Sequence, residues 1–74
     1  MMPLTMVSEG EEVQLVAIHG GQQLRKRLAD LGLNIGMDLR VIRVDPEGPM
    51  ILGVKDSRLA IGRGMAHRVI VTLK

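Results

Sequence analysis

The sequence has no Phe, Tyr or Trp and no Cys. Without aromatic rings it cannot build the stacking platforms of single-strand nucleic-acid binders, the grooves that grip proline-rich peptides, or quaternary-ammonium cages. Without thiols it has no disulfides and no thiolate metal sites, which suits a reducing compartment. No apolar run approaches the ~20 residues of a membrane helix. The N-terminus lacks the basic and continuously apolar regions of a signal peptide. A cytoplasmic chain that is not membrane-embedded is therefore expected. Basic residues are missing from the first third of the chain, while residues 25–74 hold five acids. Residues 1–24 hold Glu9, Glu11 and Glu12 and no Lys or Arg, whereas all ten Lys and Arg lie in residues 25–74. The net charge of +2 hides that asymmetry.

What is present is aliphatic. The 74 residues fit one domain, residues 1–74, and 46% of them are Leu, Val, Ile, Met or Ala. A chain of this size buries only about 60% of its unfolded surface. It should be modestly stable alone or supported by association, which leaves a homo-oligomer open.

Hydrophobic periodicity divides the chain. Pro3, Leu4 and Val7 predict one helical turn stopped at Gly10. From Glu11 to Ile18, Val13, Leu15 and Ala17 alternate with Glu12 and Gln14, predicting a half-buried strand. Gly20-Gly21 breaks it. Over Gln22 to Leu31 the period changes, with Leu24, Leu28 and Leu31 on one stripe and Arg25, Lys26 and Arg27 outside it. Gly32 and Leu33 are placed for a Schellman ending, Leu33 packing back on Leu28. Met37 to Val44 alternates and then changes parity at Ile42, as a bulge would require. The turn Asp45-Pro46-Glu47-Gly48-Pro49 leads to short strands at Met50 to Val54, Arg58 to Ile61 and His67 to Leu73. Residues 62–66 read as a turn. Five short strands with one amphipathic helix between the first and second fit a small closed or nearly closed barrel.

The chemistry on offer is that of binding. Ser8 and Ser57 lie in turns outside any nucleophile-elbow sequence, and no pattern pairs two carboxylates in an apolar pocket, so no enzyme is expected. His19 and His67 fall at the two strand ends that an antiparallel pairing of first and last strands brings to one end of the barrel. There they could start a divalent-metal site. The plainer account is two exposed histidines without a spaced motif. Arg25 and Arg27 offer a basic helix face. Its bland counterpart, a solvated face, is favoured for Lys26. The pairs Gly20-Gly21 and Gly62-x-Gly64 match no phosphate-loop spacing and read as turns. The Met residues read as core filler.

The string Gly20-Gly21-x-x-Leu24-Arg25-x-Arg27-Leu28-x-x-Leu31-Gly32-Leu33-x-x-Gly36 resembles the signature segment of the FeoA family of ferrous iron transport proteins. Pro3-Leu4-Thr5 and Gly10-Glu11 resemble the family's opening, and Leu59-Ala60-Ile61-Gly62 with Ala66-x-x-Val69-x-Val71 its ending. The resemblance implies a mainly β fold, a five-stranded SH3-like β-barrel with one helix inserted between strands 1 and 2. It implies an accessory role in prokaryotic ferrous iron uptake by contact with the FeoB-type GTP-binding membrane transporter. Similar domains close the metal-dependent repressors of the diphtheria-toxin-repressor type, but no helix-turn-helix fits here.

An SH3-like barrel without aromatics has no proline groove. Gly20, Gly21, Arg25 and Arg27 are thus the expected partner-binding residues. No cofactor is required by this reading, and no nucleic acid is expected as a partner. The alternative is a metal sensor or carrier holding Fe²⁺, Zn²⁺ or Mn²⁺ on His19 and His67.

Overall fold

The computed structural model describes residues 1–74. The elements in chain order are β1 (Met2–Pro3), a 3-10 turn (Leu4–Met6), β2 (Glu12–Ile18), α1 (Gln22–Asp30) and β3 (Asp38–Arg43), then β4 (Met50–Val54), β5 (Ser57–Ile61), α2 (Arg63–Arg68) and β6 (Val69–Leu73). All pairings are antiparallel, in one sheet ordered β1-β6-β2-β3-β4-β5. Inward residues of the five longer strands join Leu4, Leu28, Leu33 and Ala66 in one buried cluster, so the sheet wraps its own core. No ladder joins the edge strands β5 and β1, so the barrel is not closed.

Every buried residue is hydrophobic, and no buried side-chain polar atom lacks a partner. Aliphatic burial at roughly 25 cal/mol per Å² therefore acts with no buried polar side chain to desolvate against it. The end of α1 follows the expected Schellman geometry. Gly32 adopts φ +95°, its N–H donates to Ala29 O at 2.9 Å, and the Leu33 N–H donates to Leu28 O at 2.8 Å. Leu33 and Leu28 are both buried. Leu31, expected on the inner stripe, is instead 43% exposed, because the reversal at Gly32 turns Leu33 into the place it would have filled.

Four further differences separate the fold from its sequence reading. The two residues of β1 add a sixth strand, carried on the sheet edge where the missing N–H of Pro3 is harmless. Residues 63–68 form a helix rather than a turn, starting from an extended Gly62 and pinned by the buried Ala66. β6 accordingly begins at Val69, and His67 lies in the last turn of α2 instead of opening a strand. In β2 the register against β6 shifts between Leu15 and Ala17. Ile18 thereby turns inward and Ala17 is left half-buried on the outer side. The expected slip in β3 lies between Val41 and Arg43. There Ile42 covers Gly53, where an added Cβ would lie 3.2 Å from Ile42 Cδ1.

Candidate functional site

Gly20 and Gly21 carry the chain from the end of β2 into α1. A Cβ on Gly20 would collide with the Leu24 side chain, so glycine here leaves room for Leu24 in the first turn of α1. Gly21 sits at the helix N-cap in an extended conformation with open space around it. The helix starts with no side-chain cap and no acid in its first turn. Arg25 folds back toward β2, its Nη2 donating to Ile18 O at 3.4 Å. Arg27 is about 200° further round the helix. It lies exposed in the last turn and shares a shallow groove with Gln23, Lys26 and Asp30. Gly20, Gly21 and Arg25 thus form one patch, and Arg27 stands on a different side of α1.

His19 follows β2 directly, and its backbone N–H donates to Arg68 O at 2.8 Å, extending the β2–β6 pairing toward α2. This brings His19, His67 and Arg68 onto one cleft of about 540 Å³, with Met1, Met2, Pro3, Ala17 and Ile70 supplying its apolar lining. No carboxylate lines it. No group of three His, Cys, Asp or Glu gathers anywhere in the chain, so the histidine pair has no third ligand of those types. Periodicity placed the histidines at one end but did not find this floor. Ala17 faces it only because of the bulge in β2, and Met2 and Pro3 only because β1 pairs with β6.

Further along the outer face of the sheet, toward β3, the arrangement differs. Arg40 on β3 pairs with Glu12 on β2, and Lys74 pairs with Asp38 at 2.8 Å. Donation of a hydrogen bond to Asp38, and then the charge of that carboxylate, raise the Lys74 ammonium above its usual 10.5. Glu12, Asp38, Arg40, Lys55, Asp56 and Arg58 line a groove of about 360 Å³ in which charges of both signs mix. Nothing in either region has the nucleophile, base and orienting group of a hydrolytic centre.

Comparison with known proteins places this architecture. A protein of Methanocaldococcus jannaschii, named by inference as Fe(2+) transport protein A, is 45% identical over 71 residues, 96% of this chain and 85% of the relative. A crystal structure of an iron uptake regulatory protein, FeoA, superposes with a TM-score of 0.93 at 37% identity, covering 99% of this chain and 97% of that one. The manganese regulator SloR shares the fold at a TM-score of 0.88 and 23% identity, over 99% of this chain but 34% of the regulator. The sheet with its two helices is therefore SH3-like, mainly β and antiparallel. No helix is long and apolar enough to cross a membrane. The FeoA domain model matches residues 2–73, and the chain is a member of the FeoA domain family.

Proposed function

We propose that this chain is a cytosolic accessory protein of ferrous iron uptake that acts by binding a FeoB-type GTP-binding membrane transporter. The observation that carries the reading is the family match over residues 2–73, nearly the whole chain. The site chemistry agrees with it. Gly20, Gly21 and Arg25 form an exposed basic turn at the start of α1, and Arg27 adds a second contact from the far side of the helix. Backbone and guanidinium are what an aromatic-free barrel has to offer a protein surface. The test is co-purification with the transporter from membranes. Arg25→Glu together with Arg27→Glu should abolish it while the circular dichroism spectrum stays native. Retention of the transporter at the wild-type level would refute the assignment.

A further inference from the structure

We propose that the cleft formed by β1, β6 and the end of β2 binds an acidic peptide segment in which a carboxylate stands beside an aliphatic side chain. The inference deepens the docking reading above and rests on it for the partner's identity, though not for the peptide's chemistry.

Ala17, Ile70, Met2 and Pro3 make an aliphatic floor, and His19, His67 and Arg68 stand around it. Arg68 has only donors to offer, and each imidazole supplies at least one N–H whatever its charge. The side chain of Arg68 is exposed and forms no ion pair. Arg25 adds a second guanidinium nearby, held at the carbonyl of Ile18, the residue before His19. No carboxylate lines the cleft, and three of the chain's acids are engaged elsewhere. Glu9 accepts from the Val44 N–H at 2.7 Å, Glu12 from Arg40, and Asp38 from Lys74 at 2.8 Å. An unneutralised cationic rim attracts carboxylates and rejects cations, which sets the sign of the ligand.

The apolar floor sets the rest. A bare anion would leave Ala17, Ile70, Met2 and Pro3 uncovered, whereas an aliphatic side chain next to a carboxylate covers them and seats the charge on Arg68. A second copy of this chain is a weaker occupant: its Glu9–Glu12 segment is pinned, and its Asp30 beside exposed Leu31 is held at the end of helix α1 rather than in an extended segment. A divalent metal is poorer still. Two imidazoles beside a guanidinium have no third His, Cys, Asp or Glu ligand, and the neutral thioethers of Met1 and Met2 add no charge to balance such an ion.

The test uses the full chain, ¹⁵N-labelled, and the N-acetylated, C-amidated tetrapeptide Glu-Leu-Glu-Leu. Saturable amide shifts are expected at His19, His67, Arg68 and Ile70. Arg68→Gln and Arg68→Glu should weaken binding about threefold and at least tenfold, and Arg43→Glu, on exposed β3 away from the cleft, should leave it unchanged. The Gln-Leu-Gln-Leu peptide should bind at least tenfold more weakly. Equal affinity for the two peptides would overturn the proposal. So would equal shifts with inorganic phosphate, saturable Zn²⁺ binding that displaces the peptide, or Arg68 variants that keep wild-type affinity and a dispersed spectrum. A peptide that binds here while the transporter's cytosolic domain does not bind at all supports the cleft and overturns the docking reading instead.

Discussion

The outer groove along β3 and the cleft beside β6 draw on one stock of charged residues and spend it in opposite ways. Along β3, cations meet acids within the chain, in the pairs Arg40–Glu12 and Lys74–Asp38. Beside β6, Arg68 and two histidines meet none. A net charge of +2 describes neither place. The difference teaches that a small chain with few acids concentrates an attractive field at one end by using its carboxylates at the other. It also implies that the ion pairs contribute little to stability, since both are exposed.

The largest way to break this contrast is to dislodge α1, which positions Arg25 and the Gly20-Gly21 turn. Leu28 is the helix's fully buried anchor. Leu28→Ala should destabilise by about 2–5 kcal/mol in urea unfolding, with the transporter contact weakened as the helix loosens. Gly20→Val comes next. The collision with Leu24 must be relieved by a shift of that half-buried side chain, at roughly 1–3 kcal/mol. Gly21→Ala, one residue on and in open space, should stay within about 0.5 kcal/mol. That pair of variants separates a glycine needed for packing from one free to serve contact.

How much of this was legible in the sequence depends on the range of the cause. The stop of α1 could be read because a Schellman ending is local, fixed by Gly32 and the spacing of Leu28 and Leu33. The slip in β3 could be read because two apolar residues changed parity within one strand. The bulge in β2 could not, since it exists only against β6, whose residues lie more than fifty positions away. The alternation Val13, Leu15, Ala17 is therefore misleading at its last member. Helix α2 was hidden by Gly62 and Gly64, which read as turn residues, while the buried Ala66 that holds the helix carries no local signal. The same causes limit the site. That His19 and His67 share one end follows from pairing the first and last strands. The floor of their cleft depends on the bulge and on β1, and Arg68 stood among scattered arginines with nothing to single it out.

Smaller effects sharpen the contrast from the β3 side. Glu12→Gln should cost about 0.2–1 kcal/mol, an exposed-pair value, and leave peptide binding at the cleft unchanged. The Lys74–Asp38 pair is the subtlest. Its ammonium is raised in the folded state above 10.5, so its contribution is fully present below that value and disappears as pH rises through the folded-state value. The stability difference between wild type and Lys74→Gln should therefore be constant from pH 7 to 9.5 and vanish well above pH 10.5. The chain has no Tyr or Cys to blur that window. Denaturant midpoints measured at both extremes check it.

The most direct test of the central claim, that the un-neutralised end of the barrel is the docking end, is an amide-shift map of the ¹⁵N-labelled chain with the cytosolic domain of a FeoB-type transporter. The account predicts perturbation at residues 17–25 and 67–70, with the β3 groove at residues 38–43 and 55–58 unmoved. Perturbation centred on the β3 groove, with residues 17–25 and 67–70 silent, would contradict it.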